Sequence, residues 1–518
     1  MRIICRKSNL SKAQGQLAQR VLAQHFPDVA MDFLHKETSG DLDQTTPLYQ
    51  MMDKNVFSSD IDAALRHGSA DFAVHSLKDV GEERLLSEGD FHAAVFERDL
   101  PHDVVIFKAD ILEKLKMHTP LSIGTSSLRR AELVPKFLQK ALPVFDNSDK
   151  EKPTIQIKPI RGNVETRLRK LAHSGDYDGV VLAAAGLNRL LKSEFSEETE
   201  TLLEGTLKMW LPLVECPPAL GQGALLIECL KTNLKAVDML KAVDNQTLKA
   251  QLLAERAATL DFGTGCHQRF GAIFIENNGK NDGYTEGGNC VISAGKTAEG
   301  ASANRFVFDF DERLEGKKIV SATDFMRDFF DYEFYDTPHT FAVFKNLEGV
   351  KNTFFIAHHR AATAETVDVL RGSKNWASGT KTWFELAKRG IWVEGCADGF
   401  GIDFLKKAWE SPLFDVSESK IILLTNEDSA VDWQQEGRKA IATYKLIPNL
   451  SPSLITALRH AEVIFWTSFK QFEAGKAFVT EGVLHACPAG KTAQKLRGVG
   501  IKPAVFPSIK AFLEYSKC

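Results

Sequence analysis

Short apolar runs that stop abruptly at charged or hydroxyl-bearing residues recur along this chain, and the sharpest is Asp71-Phe72-Ala73-Val74-His75-Ser76-Leu77-Lys78-Asp79-Val80. Phe72 to Val74 is apolar at successive positions, which suits a strand buried on both faces of a parallel sheet. Parallel strands need crossover connections, and the ligands of open α/β sheets gather beyond the carboxyl ends of the strands. Ser76, Lys78 and Asp79 fall at that end. A lone Lys-Asp pair is most often a solvated turn cap; recurrence of the pattern gives this one weight.

Ser122-Ile123-Gly124-Thr125-Ser126-Ser127-Leu128-Arg129-Arg130 reads as a strand, a hydroxyl-rich turn, and a helix to about Gln139. Its two arginines sit in the first helical turn, where the dipole disfavours cations, so an anion is expected to compensate them. Ile155 to Ile160 runs into Arg161, with Arg167 a helical turn and a half after it, and Val180 to Ala185 runs into Arg189. Arg6 and Ser8 follow a first strand at Ile3 to Cys5, at the start of a helix to about His25. Arginines gathered at strand-to-helix junctions suit a polycarboxylate, gripped by charge-assisted and often bidentate hydrogen bonds. Residues Thr38 to Asn55 carry Gly, Asp, Thr and Pro without a period and read as a long loop of the kind that closes over sites.

At 518 residues the chain has room for roughly three or four domains. A net charge of −4 argues against a general nucleic-acid surface, so anion binding must be local. Eight cysteines without a C-x-x-C pair point to a reducing compartment and give no zinc signature. No apolar run reaches the roughly 20 residues of a membrane span, and Met1 to Arg6 lacks a signal-peptide core. A cytoplasmic, monomeric protein with neither membrane nor nucleic-acid partner is expected, and no metal. One cysteine, Cys266, stands in a glycine-rich loop, Asp261-Phe262-Gly263-Thr264-Gly265-Cys266-His267, where exposure would make a thiol reactive.

Taken together, Arg6-Lys7-Ser8, His75 to Val80, Gly124 to Arg130, Arg161-Gly162-Asn163-Val164, Ala184 to Leu190, Gly221-Gln222-Gly223-Ala224 and Gly265-Cys266 resemble porphobilinogen deaminase, or hydroxymethylbilane synthase, in that family's order. The resemblance implies an α/β fold of three domains: two periplasmic-binding-protein-like lobes around an active cleft, and a small α+β domain. The implied boundaries are 1–100 with 207–230 for the first, 101–206 for the second and 231–334 for the third. It implies a dipyrromethane cofactor attached covalently at Cys266, and Asp79, assisted by Lys78, as the catalytic carboxylate. Lys78, Ser76, Ser126, Ser127, Arg129, Arg130, Arg161 and Arg167 would bind the cofactor. Arg6, Ser8, Lys54 and Arg189 would bind the substrate, porphobilinogen, four molecules of which are joined to a bilane with loss of ammonia. The chain departs from the family where the lid reads Met52-Asp53-Lys54-Asn55-Val56-Phe57, where Gly81 follows Val80, and where His267-Gln268-Arg269 follows Cys266.

Beyond about residue 335 an internal repeat takes over. Phe354 to Ala357 matches Ile464 to Thr467, Lys381-Thr382 matches Lys491-Thr492, and Arg389-Gly390-Ile391 matches Val499-Gly500-Ile501, all at an offset of 110 (500 − 390). Ile464 to Ser468, Pro488 to Ala493 and Phe506-Pro507-Ser508 resemble uroporphyrinogen-III synthase. That implies a bilobed α/β region over 335–518, with repeats at about 335–410 and 411–518. It also implies a second activity, a lyase that closes the bilane to uroporphyrinogen III, with Thr467, Ser468 and Thr492 contacting it. Two alternatives stand beside this: a deaminase with a degenerate tail, and a carboxylate-binding protein without catalysis. His358-His359 stand where the second repeat has Thr467-Ser468.

Overall fold

A computed structural model describes residues 1–37, 59–145, 153–258, 269–276, 290–296, 302–308, 314–321, 329–335, 352–506 and 508–516. The protein is mixed α/β and divides into two compact units. One comprises Met1–Gln139, Glu151–Phe274 and Ser293–Asn304, the other Lys140–Lys150, Ile275–Ile292 and Arg305–Cys518. The expected lid with Lys54, and the loop of Cys266, lie outside the described residues.

The first unit holds two five-stranded sheets of the same plan. In one the order is Asp32–Lys36, Arg2–Arg6, Phe72–Ser76, Ala224–Leu230, Phe91–Arg98. The first three strands are parallel, and Ala224–Leu230 runs antiparallel to both neighbours. In the other the order is Ile155–Lys158, Leu121–Gly124, Gly179–Ala183, Asp103–Phe107, Leu207–Trp210. Asp103–Phe107 is now the antiparallel strand. The chain leaves the first sheet after Arg98, builds the second, and re-enters the first at Ala224. Phe72, Ala73 and Val74 are buried, as the unbroken apolar run requires. Leu207–Trp210 pairs with Val104 to Phe107, which corrects the expected boundary at 206/207: these residues complete the second sheet. A separate three-stranded sheet is ordered Phe270–Ile275, Cys290–Lys296, Ser302–Phe308.

The second unit also has two sheets. Thr353–Ile356, Lys374–Ala377, Gly395–Cys396, Ile421–Asn426 and Lys439–Pro448 run parallel, with Phe330–Phe334 antiparallel on the edge beyond Lys439–Pro448. Ile319–Val320, Val463–Phe465, Leu484–Pro488 and Ala504–Phe506 form a parallel four-stranded sheet. The repeat is visible strand by strand, but the expected division at 335 and 410/411 is not where the sheets divide. Residues 330–334 and 421–448 complete the first lobe's sheet, and Ile319–Val320 lies in the second's. Repeat similarity reports which segments look alike; hydrogen-bonded partners decide which sheet a strand joins. With strand Thr353–Ile356 matching Val463–Phe465 at the offset of 110, Ala357 and His358, rather than His358 and His359, correspond to Thr467 and Ser468.

Candidate active site

Strand Phe72–Ser76 ends in a single 3-10 turn, Leu77–Asp79. Leu77 is buried, so the turn is pinned at its first residue while Lys78 and Asp79 remain open to water. The turn is held from outside as well. Nη2 of Arg256, in the last turn of helix Gln246–Ala257, donates to the carbonyls of Val80 (3.0 Å) and Leu77 (3.4 Å). Beneath it, a buried network ties Phe72–Ser76 to Ala224–Leu230. Glu228 accepts from His75 (3.0 Å) and, with both oxygens, from Arg84 (3.0 and 2.9 Å), and Arg84 also pairs with Asp62. Burial alone would raise the Glu228 carboxyl, but His75 and Arg84 outweigh it and hold it below the usual carboxylate range.

Cations from the second sheet converge on this turn. Lys78 is hemmed in by protein although water reaches it. That desolvation pushes its ammonium down from the ordinary lysine range; Asp79 and Asp103 oppose the effect, and Arg130 and Arg167 add to it. Arg167 is pushed down to about 10 by burial first, then by Arg130 and Arg161, with Asp79 opposing. Lys78, Asp79, Arg130, Arg161 and Arg167 therefore share one neighbourhood. Asn163 places Arg167 there: its side chain caps helix Val164–His173 by accepting from the Thr166 N–H (2.8 Å), and Arg167 Nε donates to the Gly162 carbonyl (2.9 Å).

The anion called for by Arg129 and Arg130 belongs, in part, to the chain itself. Asp103 is fully buried, with Arg129 and Arg130 each 2.7 Å from one of its oxygens, and it also accepts from Gln222 (2.9 Å). Burial would raise this carboxyl, yet the two guanidiniums and Gln222 hold it far below the usual range. Arg129 further donates to the Pro217 carbonyl and Arg130 to that of Val181. Both arginines are thus buried and partly committed, which corrects the picture of two forks free for a ligand. With Asp79 and Asp103, the five cations Lys78, Arg129, Arg130, Arg161 and Arg167 still leave the region positive.

Other expected contacts have structural partners. Ser8 caps helix Asn9–His25 by accepting from the Ser11 N–H. Ser126 exchanges hydrogen bonds with the Ile160 backbone, donating at 2.7 Å and accepting at 3.1 Å, and Ser127 accepts from the Arg130 N–H. Ser76 accepts from Gln14 (3.0 Å). Arg6 ends its strand at the carboxyl edge shared with Ser76. Arg189 stands apart: its Nη2 donates to the Gly223 carbonyl (2.6 Å), with Glu97 and Asp99 at 3.7 and 3.9 Å. Two nearby carboxylates answer its charge, so it reads as a joint rather than a ligand contact. Gly223 itself has φ +87°, and a Cβ there would meet the Asp99 carbonyl oxygen at 2.4 Å, so only glycine fits.

Glu255 and Arg256 are the functional neighbours that sequence reading missed. Glu255 is fully buried, paired with Arg98, and accepts from the N–H groups of Gly221 (2.9 Å) and Phe274 (3.0 Å). The Ala272 N–H donates to the Pro218 carbonyl (3.0 Å). Residues on both sides of the Cys266 loop are therefore tied to the Leu77–Asp79 turn and to the 217–221 segment. The available signal was a Glu-Arg pair closing a helix just before a glycine-rich loop.

In the second unit, Thr467 donates its N–H (2.8 Å) and hydroxyl (2.7 Å) to Gln471 Oε1, and Ser468 caps helix Phe469–Gly475 by accepting from the Gln471 N–H. Ser468 thus acts as a helix cap, the ordinary role of such a residue, while Thr467 is held to the Gln471 side chain. Thr492 lies in the first turn of helix Lys491–Gly498, half-buried. Gly401 and Gly490, from the two lobes, approach so closely that a Cβ on Gly401 would lie 3.3 Å from the Gly490 Cα. Among the described residues no group of three metal ligands occurs, and no helix is long and apolar enough to cross a membrane.

Residues 1–238 match a family model described as porphobilinogen deaminase, dipyromethane cofactor binding domain. A probable porphobilinogen deaminase of Pyrobaculum islandicum is 34% identical over 321 residues, 62% of this chain and 95% of its own length. Porphobilinogen deaminase of Synechococcus elongatus is 35% identical over 276 residues, 52% of this chain and 77% of its own. Among solved structures, uroporphyrinogen-III synthetase of Helicobacter pylori 26695 aligns with 38% of this chain and 97% of its own at 16% identity and a TM-score of 0.26.

Proposed function

Because the chain belongs to the porphobilinogen deaminase family, we propose that its first unit joins four porphobilinogen molecules into hydroxymethylbilane with release of ammonia. The observation that carries this reading is one water-accessible carboxylate, Asp79, set among Lys78, Arg130, Arg161 and Arg167. The family's cofactor is dipyrromethane, and the residues suit it: each of its pyrroles bears acetate and propionate groups, and this region has a surplus of cations. Lys78, Arg161 and Arg167 would hold those carboxylates, with Arg130 sharing its charge between Asp103 and the ligand. Bound as a thioether at Cys266, the group supplies a terminal pyrrole carbon as nucleophile.

The chain's own residues do the rest. As porphobilinogen loses ammonia its ring becomes positively charged, and the Asp79 carboxylate steadies that charge. It is held in place beforehand by Leu77 below and Arg256 behind. Lys78, its ammonium partly desolvated, binds carboxylate more strongly than a fully hydrated lysine would. The arginines orient the substrate so that the reacting carbons meet. The test is the intact mass of the purified chain. An adduct of dipyrromethane mass, lost in Cys266→Ser, is expected; a bare wild-type chain would sink the enzyme reading in favour of a carboxylate-binding protein.

We propose further that the second unit closes the bilane to uroporphyrinogen III. What supports this is a repeat built as two mainly parallel sheets whose carboxyl-end loops meet at Gly401 and Gly490. The linear product closes unaided to the type I isomer, so the isomer composition decides. Type III product is expected from the whole chain; type I alone would leave a deaminase with a degenerate tail.

A further inference from the structure

The second unit carries a basic cluster that none of the roles above uses. Strand Thr353–Ile356 runs into Ala357-His358-His359-Arg360, and Lys381 lies in the first turn of helix Thr380–Ala387, which follows the neighbouring strand Lys374–Ala377. The rings of His358 and His359 lie 4.3 Å apart. The Arg360 guanidinium sits 4.0 Å over the ring of Tyr332, which in turn packs against Tyr444 at 6.1 Å. His358 Nδ1 accepts from the Arg360 N–H (3.2 Å), which leaves the ring's proton on Nε2 as a donor. Burial, aided by the neighbouring cations, holds both imidazoles neutral, His358 pushed down to about 3 and His359 to about 4.

The internal repeat provides a control. At the offset of 110, Arg360 corresponds to Lys470 and Lys381 to Lys491. Each of these second-lobe cations has a carboxylate, supplied by the 427–436 segment of the first lobe: Lys470 pairs with Asp428 (3.0 Å) and Lys491 with Glu436 (2.8 Å). In the first lobe, among the described residues, neither Arg360 nor Lys381 forms an ion pair. The nearby Glu385 is taken by Lys388 (2.6 Å). Cations crowded against neutral N–H donors and an aromatic wall, without their own carboxylates, form a site that an anion stabilises.

We propose that His358, His359, Arg360 and Lys381, walled by Tyr332 and Tyr444, bind carboxylates of a pyrrole chain. The identity of the ligand rests on the synthase reading; the site itself rests on the geometry. The probe is uroporphyrin I, a stable tetrapyrrole octacarboxylate, added to the full-length chain during treatment with diethyl pyrocarbonate. Modification of His358 and His359 is read by peptide mass spectrometry, so binding elsewhere does not interfere. The porphyrin should protect both histidines, and half-protection should need roughly tenfold more porphyrin in Arg360→Gln and in Lys381→Gln, each having lost one charge-assisted bond. Ammonia release should be unchanged in both. Lys381 is exposed, so its variant keeps the test open should Arg360→Gln not fold. Histidines that react to the same extent with and without porphyrin overturn the site, as does equal protection in wild type and both variants. Type III product formed without protection overturns this site and leaves the synthase reading standing. Type I product alone, with protection intact, removes the synthase reading and leaves the carboxylate site.

Discussion

Asp79 and Asp103 are both surrounded by arginine and lysine, and what separates their roles is access to water. Asp103 is fully buried with its oxygens taken by Arg129, Arg130 and Gln222. Removing its charge strands two buried guanidiniums, so Asp103→Asn should cost about 3–5 kcal/mol of stability by urea unfolding; a loss under about 1 kcal/mol would mean the arginines find another anion. Arg167 lies within electrostatic reach of Arg130, Arg161 and Asp79. Arg167→Gln should raise KM for porphobilinogen roughly tenfold, as expected for one lost charge-assisted bond, with a smaller effect on kcat. An unchanged KM would remove it from the ligand's grip. At this scale the sequence made legible that the Arg129-Arg130 pair needs an anion, because cations open a helix there. It could not show that the anion is Asp103, which stands earlier in the chain and meets them only through the antiparallel strand it begins.

Elements hold this arrangement by locks that leave little trace in sequence. Apolar runs identified Phe72–Ser76 and Gly179–Ala183 as buried strands and placed chemistry at their ends, because burial on both faces erases alternation. The partners of Leu207–Trp210 and of Ile421–Asn426 were not legible, since nothing in a short strand names its neighbour. The lock between Phe72–Ser76 and Ala224–Leu230 is Glu228 with His75 and Arg84. Its carboxyl lies below its ordinary value when folded, so its stabilisation is present above the unfolded glutamate pKa of about 4.3 and fades as pH falls through the lower folded value. Wild type should lose stability more steeply than Glu228→Gln as pH drops below about 4.5; parallel curves would contradict the pairing. The clamp on the Leu77–Asp79 turn is Arg256. Arg256→Met should lower kcat roughly tenfold to a hundredfold through misplacement of Asp79, with the cofactor mass still present. Normal turnover would show the turn holds itself.

The molecule as a whole has a net charge of −4, yet among the described residues positive charge gathers around Asp79 in the first unit and at Arg360 and Lys381, beside the neutral His358 and His359, in the second. Both lie at carboxyl ends of parallel strands, where helix N-termini and loops converge. A chain that grips acid-bearing pyrroles gains from such local fields against a mildly acidic background, which limits indiscriminate anion binding. The most direct test is the intact-mass ladder after adding less than one equivalent of porphobilinogen. Wild type should show the cofactor-bearing mass plus successive pyrrole additions, while Asp79→Asn keeps the cofactor mass and forms the ladder slower by roughly 10²–10³. A ladder in Asp79→Asn as fast as in wild type would contradict the role given to that carboxylate and the site built around it.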